Sequence, residues 1–138
     1  MIQTLLNPFR NSNEYLIIED SEIDVIVADR LIRSRYPNLK PTITGNGMQA
    51  IKLLKEKANK GSDLPLFILL DLLMPLMDGF DFLEIYERDF HKNAAAPNVI
   101  VLTSSLHDID KTKALRYKCV KAYMIKPFNI GEFLGVRI

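Results

Sequence analysis

The chain has 138 residues, 48% of them hydrophobic and 25% charged, a length and balance suited to one soluble domain with a substantial core. A net charge of +1 gives no basic excess to recruit nucleic acid, and no apolar run nears the roughly 18 residues of a membrane span. The single cysteine, Cys119, excludes an internal disulfide and fits a reducing compartment, with the cytoplasm as the expected location.

The opening "MIQTLLNPFRNSNEY" carries only a short apolar patch, broken by Asn7 and Pro8. Residues 1–13 therefore read as a short polar arm, not a signal peptide, and residues 14–138 as one domain. The first strand is expected in "YLIIED" (15–20). A helix follows in "SEIDVIVADRLIRSRY", with Ile23, Val27 and Leu31 on one face and Ile26 and Ile32 widening it. Ser21 with Asp24 forms a capping-box signal at its start, and Pro37 ends it. The second strand is "KPTIT" (40–44). In "GMQAIKLLKEKANKG" the apolar side is Met48, Ile51 and Leu54, with Gly61 as the stop.

The third strand, "LFILLD" (66–71), is apolar throughout until it meets Asp71. Then come the helix "FDFLEIYERDFHK", the strand "NVIVLT" (98–103), the helix "DIDKTKALRYK" and the strand "KAYMIK" (121–126). "NIGEFLGVRI" is a short fifth helix weakened by Gly131 and Gly135. Strands without polar alternation are buried on both faces, as in a parallel sheet covered by helices. Strand–helix alternation, five times over, predicts an open, doubly wound α/β fold with right-handed crossovers.

In such sheets the site lies at the carboxyl ends of the strands. Those ends are Glu19-Asp20, Asp71, Thr103 and Lys126, each a polar residue closing an apolar run. Crowding three carboxylates raises their pKa values unless positive charge intervenes. Lys126 supplies one charge, and a hard divalent ion such as Mg²⁺, which takes oxygen ligands, suits the rest. A phosphoryl group brought there could pass to a carboxylate, with the metal and lysine neutralising its oxygens and a hydroxyl donating to one.

Four segments, "IIEDSEID", "LLDLLMPLMDGF", "VLTSS" and "YMIKPF", stand in the order and spacing of a known family. Over residues 14 to 138 the chain resembles the response-regulator receiver domain of two-component signalling, of the single-domain, chemotaxis-regulator type. The resemblance implies a flavodoxin-like five-stranded sheet ordered 2-1-3-4-5. It also implies that Asp71 is the phosphoacceptor, that Asp20 binds Mg²⁺ directly and that Glu19 acts through water. The backbone carbonyl of Leu73 is a further implied metal ligand. Lys126 pairs with the acceptor and then with the phosphoryl group, Thr103 is the switch hydroxyl and Tyr123 the aromatic switch. Lys126-Pro127 matches a Lys-Pro step that is often cis. The implied partners are a sensor histidine kinase or phosphotransfer protein and an unidentified downstream protein, with no nucleic acid and no membrane. The responding surface is the fourth helix, fifth strand and fifth helix.

The chain departs from the family pattern at the Glu-Asp pair, where Asp-Asp is commoner, and at Leu73 and Ser105, which offer attacking water little. Slow self-dephosphorylation is expected. His91 and His107 are expected to face solvent without a role. No output domain follows in this sequence, so the expectation is a phosphoacceptor and not an enzyme. A constitutive binding module has no physical need for the full acidic, hydroxyl and lysine set. A phosphohydrolase needs a second carboxylate two residues after Asp71, where Leu73 stands.

Overall fold

A computed structural model of the chain describes residues 13–74, 76–92 and 96–136. The expected arm, apart from Asn13, and the expected bend at Pro75 lie outside the described residues. Ten elements alternate: β1 (Glu14–Ile18), α1 (Glu22–Arg35), β2 (Lys40–Thr44), α2 (Gly47–Asn59), β3 (Phe67–Leu70), α3 (Gly79–Asp89), β4 (Asn98–Thr103), α4 (Asp108–Leu115), β5 (Val120–Ile125) and α5 (Ile130–Leu134). All pairings are parallel and the strand order is β2-β1-β3-β4-β5. The expected fold class and strand order both hold.

Strand residues alternate between two cores, because successive side chains point to opposite faces. Tyr15, Ile17, Phe67, Leu69, Ile100 and Leu102 pack with Val25, Ala28 and Ile32 of α1 and Phe133 of α5. Leu16, Ile18, Ile68, Leu70, Val99 and Val101 pack with Ala50 and Leu54 of α2, Phe82, Leu83 and Tyr86 of α3 and Ala114 of α4. Both faces of β1, β3 and β4 are thus covered, which is why their sequences lack alternation. Side-chain caps start four helices: Ser21, Asn46, Asp78 and Asn129 each accept the N–H three residues on. Gly61, with φ +67, closes α2 as expected, since a left-handed conformation there favours glycine.

The phase of α1 differs from the sequence reading. Ile23 is 74% exposed, Ile26 and Val27 also face outward, and the buried stripe is Val25, Ala28, Asp29 and Ile32. Polar anchors set this rotation. Asp29 accepts the Tyr15 hydroxyl at 2.7 Å and pairs with Arg33, and Asp24 faces the strand ends. Met48 likewise lies outside the α2 stripe, which is Gly47, Ala50, Ile51 and Leu54. Ala28 and Asp29 in α1 and Gly47 and Ala50 in α2 complete the true faces, and an apolar count overlooks them.

Candidate functional site

The order β2-β1-β3 places a topological switch point between β1 and β3, and the residues leaving those two strands meet there. Ladder bonds carry the chain one step past each strand: Asp71 N–H donates to Ile18 O, Glu19 N–H to Thr44 O, and Lys126 N–H to Thr103 O. Asp71, Glu19 and Lys126 are therefore held by backbone at the sheet's rim.

Asp71 is only 4% exposed. One carboxylate oxygen accepts the Leu73 N–H at 3.2 Å, and the other lies 3.4 Å from Lys126 Nζ. Lys126 reaches in from the end of β5 and also meets Glu19 at 2.5 Å and Asp24 at 2.8 Å. One ammonium thus serves three carboxylates, the arrangement needed to keep buried anions tolerable. The following Lys126-Pro127 bond is cis, as the resemblance implied.

Burial pushes the Glu19 carboxyl up to about 7; the nearby Asp71 adds to the rise and Lys126 opposes it. For Lys126, burial favours the neutral amine, but hydrogen bonds to Asp24 and Glu19 and the charges of Asp71 and Glu19 outweigh it, so its pKa rises. The Lys126 hydrogen bond is the main cause that lowers Asp24.

Glu19, Asp20 and Asp71 offer carboxylate oxygens within 4.8 Å of one another. This donor set is all oxygen, anionic and small in number, and it fits a hard divalent cation that keeps some of its waters. Asp20 is exposed, whereas Glu19 and Asp71 are buried, so the site opens to solvent on one side.

Thr103 ends β4 fully buried, and its hydroxyl oxygen accepts the Ser105 N–H at 3.3 Å, leaving its own proton free to donate. Tyr123 lies half-buried on the edge strand β5, and its hydroxyl donates to Ser105 O at 3.3 Å. Ser105, read from sequence only as small and uncharged, is buried and donates to Asp110 at 2.6 Å. It therefore ties the end of β4 to the first turn of α4. Leu73 is 56% exposed, its N–H committed to Asp71.

His107 is exposed as expected, whereas His91 is half-buried, with Nε2 3.1 Å from Asn98 Oδ1 and its ring beside Tyr86. Asp24 is the site residue that sequence reading missed. Its spacing from Ser21 suggests half of a capping box, yet Glu19 takes the Ser21 N–H at 3.2 Å and frees the Asp24 carboxylate for Lys126. The missed signal was spacing: an acidic residue one helical turn from Ser21 lies beside the same strand ends.

Close packing fixes the loop that carries Asp71. Gly79 N–H donates to Leu72 O, and a Cβ on Gly79 would lie 2.6 Å from both Asp71 O and Leu72 Cα. Only glycine lets α3 start this close to the end of β3.

A doubly wound sheet with a buried carboxylate, a hydroxyl and a shared ammonium at its strand ends defines an α/β domain built around an acidic pocket. The chain belongs to the response regulator receiver domain family, whose model matches residues 15–136. It is 34% identical over 133 residues to the probable methanogenesis regulatory protein FilR2 of Methanothrix harundinacea, covering 88% of this chain and 83% of that protein. It is also 28% identical to the sensor histidine kinase CheAY of Helicobacter pylori, matching 96% of this chain but 16% of that longer protein. Among solved structures it is similar to a two-component response regulator from Cytophaga hutchinsonii, with a TM-score of 0.77 and 27% identity, covering 88% of this chain and 90% of that one. It resembles the Mn(2+)-bound form of response regulator Rcp1 with a TM-score of 0.68 and 27% identity, covering 86% of this chain and 84% of that one. Among the described residues, no helix is long and apolar enough to cross a membrane.

Proposed function

We propose that this receiver accepts a phosphoryl group on Asp71 from a histidine kinase or phosphotransfer protein and thereby changes its partner preference. The observation that carries the reading is Lys126, held between Glu19 and Asp71 at the ends of β5, β1 and β3. An Asp71 oxygen attacks the phosphorus, the bond from phosphorus to the donor imidazole nitrogen breaks, and the imidazole leaves with its electron pair. Lys126 stabilises the charge that spreads over the phosphoryl oxygens. Glu19, Asp20, Asp71 and the Leu73 carbonyl would hold Mg²⁺, which when bound would neutralise charge on the same oxygens. That the Rcp1 relative binds Mn(2+) supports a divalent site here.

The Thr103 proton then has an acceptor on the phosphoryl group, and movement of Thr103 pulls on Ser105 through the N–H it accepts. Tyr123, hydrogen-bonded to Ser105 O, reports that movement to β5. New charge-assisted contacts thus bias the α4–β5–α5 face toward its second state. The domain catalyses only its own phosphorylation and dephosphorylation, in the cytoplasm. Incubation with Mg²⁺ and a small phosphodonor should add one phosphate-sized mass to the wild type and none to Asp71→Ala. An adduct that persists in Asp71→Ala, or steady turnover of phosphate esters, refutes the reading.

A further inference from the structure

Asp24 meets Lys126 more closely than Asp71 does, at 2.8 Å against 3.4 Å, yet it lies outside the group of three carboxylates able to share a metal ion. It also lines, with Glu19 and Asp71, a pocket of about 10 Å³ between α1 and the strand ends, so it stands directly beside the two buried carboxylates. Lys126 therefore has two kinds of partner: Glu19 and Asp71, which a cation would need, and Asp24, which it would not.

We infer that Asp24 is a positioning residue that holds the Lys126 ammonium on the α1 side, so that a divalent cation takes Glu19 and Asp71 without competition from the lysine. The inference rests on the reading of Glu19, Asp20 and Asp71 as metal ligands. A cation held by Glu19, Asp20 and Asp71 would repel the Lys126 ammonium from Glu19, and the ammonium would keep a carboxylate partner because Asp24 remains. Without Asp24, the ammonium's other carboxylate partners are Glu19 and Asp71, and lysine and metal become direct rivals. Two local features build this device. Glu19 replaces Asp24 at the Ser21 N–H, and the outward turn of Ile23 and Ile26 aims Asp24 at the rim.

Calorimetric titration of the full chain with MgCl₂ tests the inference. Asp24→Asn should weaken Mg²⁺ binding ~3–5-fold, the change expected from one partly exposed ion pair. Asp24→Glu should retain most of the affinity. In a Lys126→Met background, Asp24→Asn should change binding by less than about twofold at physiological salt, because only the screened direct field of Asp24 is then lost. The inference is overturned if Asp24→Asn binds like the wild type, if its loss is undiminished without Lys126, or if the wild type binds no Mg²⁺. Failure of the phosphoacceptor reading has a different signature: Mg²⁺ titrations as stated, but no phosphate adduct on Asp71.

Discussion

Replacing Lys126 with methionine keeps the apolar stem and removes the one charge that Glu19, Asp24 and Asp71 share. The Lys126 side chain is 14% exposed and those of Glu19 and Asp71 are 5% and 4% exposed, so two buried carboxylates lose their cation. Breaking a fully buried pair costs about 3–5 kcal/mol. Partial access to water places this case near the lower end, at about 3 kcal/mol, or roughly 10 °C in Tm for a domain of this size. The loss depends on pH. Glu19, already raised to about 7 in the folded state against 4.5 ordinarily, binds its proton more tightly folded than unfolded. Protonation therefore stabilises the fold, and the benefit disappears as pH rises through the folded pKa. Lys126 lowers the Glu19 pKa, so removing it lifts that pKa further and extends the penalty upward in pH.

The loss in the variant should thus be smaller at about pH 5.5, where Glu19 is largely protonated in both proteins, than at about pH 8, where the wild type ionises it beside Lys126 and the variant has no cation to offset that charge. Saturating Mg²⁺ should restore about 2–3 kcal/mol at the higher pH, since a ligand at 100 times its Kd stabilises by that amount. Urea unfolding in EDTA and in Mg²⁺ at both pH values measures all four quantities. An equal loss at both pH values, or a variant as stable as wild type at the higher pH without metal, refutes the shared-ammonium argument.

Gly79→Ala must move the α3 start away from Asp71 O and Leu72, so it should cost about 2–3 kcal/mol and slow phosphorylation, read by urea unfolding and intact mass. Cys119 is fully buried and burial pushes its thiol up to about 12, so maleimide should modify it only in denaturant; rapid modification of the native protein would contradict the packing. Dephosphorylation should take minutes to hours, and Leu73→Asn, which presents an amide to water at an exposed position, should shorten it several-fold. A wild-type lifetime of seconds would count against that account.

The sheet and its rim were legible in the sequence because the signals are local. A strand buried on both faces must be apolar, and a polar residue closing it must stand at the carboxyl end, so Glu19, Asp20, Asp71, Thr103 and Lys126 could be read one strand at a time. The rotation of α1 was not legible, because its apolar residues form two stripes. The choice between them is made by Tyr15 on β1 and Lys126 just past β5, both outside α1. Asp24 was hidden for the same reason: its capping partner is near in sequence and its actual partner is 102 residues away. Ser105 was visible as a residue but not as a link, since its role depends on Asp110 and Tyr123 converging on one loop.

The central claim is that the Asp71 carboxylate forms an acyl phosphate. Phosphorylated protein reduced with borohydride, which converts an aspartyl phosphate to homoserine, should show that conversion at position 71 in the peptide spanning β3, and nowhere else. Homoserine at another aspartate, or a phosphate found on His91 or His107, would contradict the account.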